Sequence, residues 1–303
     1  MPSRDIRTIR RGALAAALAI LAATAPVAAG PLAVGPQYDT THVYLDPADV
    51  DRFVTSFTAT FGGASTPQIV ATVTPTPSRT TSQLVMTPVG TLSVFGYETP
   101  VPYPFGEERT GYLVTDLDEA VAAAREAGAW VLVAPFDDPI GRDAVVTWPG
   151  GIDMQFYWHT TPPDYPALAT VPENRVYISP DAADEFVAHF LAFSGGRLVE
   201  DDPDASGAEI GRDGTYRRVR LESRFGRMVV LVTDGHLPYP FGREVTGYEV
   251  AALDDTLAKA AASGATVLAG PVSADGRRTA MVEFPGGYIA EVHGPDGGAK
   301  PGQ

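Results

Sequence analysis

The chain has 303 residues, 45% of them hydrophobic and 19% charged, with a formal net charge of −15 and no cysteine. That length bounds one large or two ordinary domains with sizeable cores. The acidic balance disfavours nucleic-acid phosphates and anionic lipid as partners, and the lack of cysteine excludes disulfides, thiol nucleophiles, thiolate zinc sites and iron–sulfur clusters.

The first 29 residues stand apart. Arg4, Arg7, Arg10 and Arg11 precede the uncharged run GALAAALAILAATAPVAA, and Val27-Ala28-Ala29 offers small residues before Gly30. This is the pattern of a secretory signal peptide over residues 1–29. The run is short for a membrane span, which needs about 20 residues, and Pro26 interrupts it. The mature protein is therefore expected to be exported, periplasmic or extracellular, with no membrane contact. Loss of four Arg and Asp5 takes the formal charge from −15 to about −18.

THVYLD (41–46) alternates and is rich in β-formers, so it predicts a strand. Pro47 then opens a helix whose Val50, Phe53, Val54 and Phe57 share one face, and Gly62-Gly63 ends it. QIVATV (68–73), SQLVMT (82–87) and TLSVFGY (91–97) follow as strands, giving β-α-β-β-β. The order repeats with TGYLVT (110–115), an acid-opened helix over 116–129, and the strands WVLVAP, AVVTWP and IDMQFYW. A third unit runs from VYIS through helix 180–194 to RMVVLVT. A fourth runs from TGYEVA through helix 252–263 to YIAEVH.

The halves are copies. PYPFGEERTGY (102–112) and PYPFGREVTGY (238–248) agree at nine of eleven positions, and residues 41–63 agree with 174–196 at ten of 23. Matching stretches in one order along the chain mean a duplicated domain. PYPFG is the crossing between paired units, with its Tyr and Phe expected to pack beneath it. The expected organisation is α+β: four βαβββ units paired into two tandem domains, 38–160 and 174–295. A Pro-rich linker at 161–173 joins them, and 296–303 is a tail.

Paired βαβββ units resemble the vicinal oxygen chelate superfamily, which includes glyoxalase I, extradiol dioxygenases and bleomycin-resistance proteins. His42 stands seven residues before Asp49-Val50-Asp51, as in that family. Pro285-Gly286-Gly287-Tyr288-Ile289-Ala290-Glu291 resembles its closing motif, and Gln155 takes the Glu position in the first copy. The resemblance implies two curved-sheet clefts that hold a divalent metal and a small molecule. In the first domain His42, Gln155 and Glu98 would be the ligands of one Mn, Fe, Ni, Co or Zn ion. The ligand position between them falls at Arg109 or Thr110, and in the second copy at Val245 or Thr246. No metal is expected in the second domain, because Arg175 replaces the histidine and an arginine cannot bind a metal. There Arg175 either pairs with Glu291 or binds a substrate anion.

Strand alternation places Tyr44, Tyr157, Arg175, Tyr177 and Glu291 on the cleft faces, with Arg109 and Tyr112 added on the partner strand as ligand-binding candidates. Two functions follow from the resemblance. One is an exported lyase, isomerase or dioxygenase whose metal polarises substrate oxygens while a glutamate or tyrosine carries a proton. The other is a metal-free protein of the bleomycin-resistance kind that sequesters a small molecule, with a homodimer as a further option.

Overall fold

The computed structural model describes residues 31–296, so the segment 1–29 expected to be a signal peptide lies outside the described residues. The first half holds β1 (Thr40–Leu45), α1 (Val50–Phe61), the short β2 (Ala64–Ser65) and β3 (Ile69–Ala71), β4 (Thr80–Thr87) and β5 (Gly90–Tyr97). It continues with β6 (Thr110–Leu113), α2 (Leu117–Glu126), β7 (Trp130–Asp137), β8 (Gly141–Trp148) and β9 (Ile152–His159). The second half holds β10 (Glu173–Ile178), α3 (Ala183–Ser194), β11 (Arg197–Ser206), β12 (Thr215–Ser223), β13 (Gly226–Val232), β14 (Val245–Glu249), α4 (Leu253–Ala262), β15 (Thr266–Ala274), β16 (Arg277–Phe284) and β17 (Tyr288–Pro295). The strand expected over 68–73 survives only as β3, an exposed piece paired to the edge of β4.

Each half makes one mixed sheet. The first runs β4-β5-β1-β6-β9-β8-β7 with β2 and β3 on the outer edge of β4, and the second runs β11-β12-β13-β10-β14-β17-β16-β15. The first strands of two units pair antiparallel at the centre, Thr40 opposite Gly111 and Glu173 opposite Gly247. Units therefore pair two by two within the sheets, as the repeat implies.

The cores pair them differently. Val50, Phe53, Val54 and Phe57 of α1 are buried as their spacing predicts, but against both sheets. Their cluster takes Val43, Leu92 and Val94 from the first half, and Tyr248, Leu257, Val282 and Phe284 from the second. A second cluster joins Trp148, Met154 and Phe156 of the first half to Phe186, Phe190, Phe193 and Met228 of the second. Small hydroxyls let α1 and α4 approach, with Ser56 Oγ 3.2 Å from Ser263 Oγ. At the seam between the sheets Thr41 and Thr246 share a 3.0 Å hydrogen bond. The helices thus lie between the sheets, and each concave face points away from the other half.

The two PYPFG crossings share a cis Tyr-Pro peptide. Phe105 is buried as expected, but Tyr103 and Tyr239 are 74% and 63% exposed. The tyrosines do not pack beneath the crossing; in the first copy Phe105 does, with its ring 6.0 Å from that of Phe136.

Candidate functional site: one open cleft and one filled one

The first sheet curls around a cavity of about 520 Å³. Its walls come from β1 (Thr40, His42, Tyr44), β4 and β5 (Gln83, Ser93, Phe95, Tyr97), and β8 and β9 (Asp143, Gln155, Tyr157, His159), with Phe105 and Tyr165 from loops. Tyr44 stacks on Phe95 at 5.4 Å between centroids and lies 6.0 Å from Tyr97. Strand alternation placed His42, Tyr44, Gln155 and Tyr157 here, and the structure brings all four to this cavity.

Three other candidates go elsewhere. Glu98 does not line the cavity; it pairs with Arg79 at the far end of β5, beyond the curl. Tyr112 faces the helices and packs on Phe225 at 4.7 Å and on Phe190. Arg109 lies behind the wall, its guanidinium over the Tyr44 ring at 5.7 Å and bonded to the Gly106 carbonyl at 2.6 Å.

The Tyr112 error is a register error. Gly111 is the β6 residue that faces the cavity centre, opposite Thr40 and beside Gln155. A Cβ there would overlap the His42 imidazole. Gly247 is its counterpart in the second sheet, where a Cβ would come within 2.7 Å of Glu291 Oε2. Neither residue expected at the middle ligand position, Arg109 or Thr110, puts a donor on the cleft, and the neighbouring residue that does face its centre is glycine in both copies.

The sequence reading also missed two carboxyls. Glu108 is fully buried, with Oε1 3.4 Å from His42 Nδ1 and accepting the Tyr44 hydroxyl, while Oε2 has no partner. Burial first, then the Glu108 charge, push the Tyr44 phenol well up. Glu108 and Glu244 are matched positions of the repeated run, the one signal that could have singled Glu108 out. Asp143 is 5% exposed on the cleft wall, and burial together with Asp138 pushes its carboxyl well above the usual range.

The second concave face is filled. Arg175 reaches Glu173 at 3.4 Å, Glu209 at 3.5 Å and Glu291 at 3.9 Å. His293 Nδ1 lies 2.7 Å from Glu291 Oε2, and Arg277 lies 2.9 Å from Glu173. Glu209 arrives on a short 3-10 turn (Gly207–Ile210) whose Ile210 packs with Ala205, Tyr216 and Leu231. That turn plugs the bowl. The expected Arg175–Glu291 pair is present but is the longest of three, and neither residue is open to a ligand. Tyr177 is likewise packed against this small cluster. Burial pushes Glu173 up, but His293, Arg277 and Arg175 outweigh it and hold the carboxyl down at about 2.

No family model and no curated protein matches the chain. Solved structures do. A mutant of 4-hydroxymandelate synthase from Streptomyces coelicolor superposes with a TM-score of 0.58 at 14% identity, covering 90% of this chain and 95% of that one. This is the vicinal oxygen chelate fold. An extradiol ring-cleaving dioxygenase from B. fuscum matches at 0.54 and 15% identity, over 91% and 76% of the two chains. The Mn(II)-bound glyoxalase from Novosphingobium aromaticivorans matches at 0.50 and 13% identity, over 84% and 80%.

The donor set departs from what a metal in this fold needs. A divalent ion takes three or more protein donors with positions left for substrate. Here His42 and Gln155 reach the cleft, Gly111 supplies no donor, Glu98 is turned away and Glu108 is held by Tyr44 and His42. Among the described residues no three His, Asp or Glu side chains converge as a metal site. The residues present do not fit a resident divalent ion.

Proposed function

We propose that this chain is an exported, metal-free binding protein that takes a small molecule into the cleft of its first sheet. One observation carries the reading: an open cavity of about 520 Å³ walled by aromatic rings, in the same cleft whose centre is faced by a glycine rather than a donor side chain. A concave, mostly apolar cavity with a few inward polar groups is what a small-molecule site requires. The second sheet supports the division of labour, since its own bowl is filled with ion pairs and serves stability. Export rests on the first 29 residues, and among the described residues no helix is long and apolar enough to cross a membrane.

A second reading, a proton-transferring enzyme, is favoured by one feature. Glu108 sits against both His42 and Tyr44 with one carboxyl oxygen unpartnered. Such a group could move a proton through Tyr44, which lines the cleft.

Thermal unfolding of the metal-stripped protein against a library of small aromatic molecules separates binder from non-binder. Ligands at about 100 times their Kd stabilise by roughly 2.7 kcal/mol. Some members are expected to raise Tm, and Ser93→Phe, which fills the cleft, is expected to abolish the rise. Tyr239→Ala, on the exposed second crossing, is expected to leave it intact. A library without a single stabilising member, or shifts that persist in Ser93→Phe, would remove the proposal.

A further inference from the structure

The walls of the first cleft carry no lysine or arginine. They do carry Asp143 and Asp138, and the fully buried Glu108 sits behind His42 and Tyr44. Arg109, beside Glu108 in sequence, has its guanidinium over the Tyr44 ring and bonded to the Gly106 carbonyl. The second bowl makes the contrast. There every buried carboxylate of the concave face meets an arginine or His293. Asp143 is as buried as those groups and has no cationic partner among the described residues.

We infer that the first cleft is selective for organic cations, an aromatic or alkyl ammonium whose charge is met by Asp143 and whose body lies among Tyr44, Phe95, Tyr97 and Tyr157. The inference rests on the binding reading above and specifies its ligand class. A buried carboxylate without a partner is costly, and a ligand ammonium supplies the missing partner. Ring faces attract the same charge, most strongly where water is excluded. An anion meets the opposite: two wall carboxyls, no permanent cation, and His159, whose burial lowers its pKa and favours the neutral ring. Burial first, then the Asp138 charge, raise the Asp143 carboxyl, and an ammonium placed against it would oppose both. Gln155, two residues along β9 from Tyr157, the register partner of Asp143, is neutral and adds no charge to the wall.

Three indoles of one shape test this: tryptamine (cation), tryptophol (neutral) and indole-3-acetate (anion), titrated calorimetrically into the purified protein at about 150 mM salt to screen surface charge. Tryptamine is expected to bind at least about tenfold more tightly than tryptophol, with indole-3-acetate weakest. In Asp143→Asn the tryptamine-to-tryptophol ratio is expected to fall about tenfold, a quantity that general damage to the cleft cancels from. Equal or tighter binding of tryptophol or indole-3-acetate, or an unchanged ratio in the variant, overturns the charge selectivity and leaves the binding reading standing. If none of the three binds, the charge selectivity falls, and the thermal-unfolding library decides the binding reading.

Discussion

Arg175→Met is expected to destabilise the protein by roughly 3–5 kcal/mol, the usual consequence of removing one partner from a buried ion network. The reason lies in what Arg175 leaves behind. It faces Glu173, Glu209 and Glu291 within 3.9 Å, and all three are at most 5% exposed. Methionine matches much of the volume and none of the charge. Glu173 keeps Arg277 and Arg220, and Glu209 keeps Arg218, but Glu291 keeps only His293.

The same network sets an acid limit. Glu173 is held at about 2 and Glu291 below its ordinary value. A carboxyl whose folded pKa is depressed contributes stability that is complete above its unfolded pKa of about 4.3 and is lost as pH falls through the folded value. Wild-type stability is therefore expected to fall between pH 4.5 and 2 (the span from the ordinary Glu value to that of Glu173). Arg175→Met should show a shallower slope from a lower plateau. Urea unfolding at several pH values checks both. A variant of wild-type stability would mean that the second bowl is solvated and the ion pairs are incidental.

Phe284→Ala should cost roughly 3–5 kcal/mol as well, and its effect should cross between the halves. Phe284 lies on β16 of the second sheet, 1% exposed, with its ring 5.0 Å from Phe57 and 6.3 Å from Phe53 of α1 in the first half. All three tryptophans, Trp130, Trp148 and Trp158, belong to the first half, so fluorescence reports unfolding there, whereas circular dichroism reports the whole chain. Cores shared across the seam predict one cooperative transition, lowered equally in both signals. A fluorescence transition that stays put while circular dichroism splits in two would show that the halves fold independently.

These two expectations come from features that the sequence exposes unequally. Periodicity identified the buried face of α1, and alternation put His42 and Glu291 on inner walls. Periodicity says that a face is covered, not by what. Nothing in α1 indicates that Tyr248 and Phe284 would cover it, over 180 residues later. The site was half legible for a similar reason. β6 is only four residues long, too short for alternation to fix its register, so Tyr112 took the cleft face that belongs to Gly111. Glu209 was invisible because its 3-10 turn lies in a stretch without pattern, between a strand end and a glycine. Asp143 sits near the start of β8, where DDPIGRD reads as a loop.

The proposed site in the first cleft takes its ligand without a metal, because the residue facing its middle is glycine and no three His, Asp or Glu side chains converge there among the described residues. Metal stoichiometry tests that most directly. The purified protein is loaded with Mn, Fe, Co, Ni and Zn in turn, dialysed, and its bound metal measured beside that of His42→Ala. The account predicts less than about a tenth of an equivalent for every metal, with no difference between the two proteins. Close to one equivalent in the wild type, lost in His42→Ala, would contradict it.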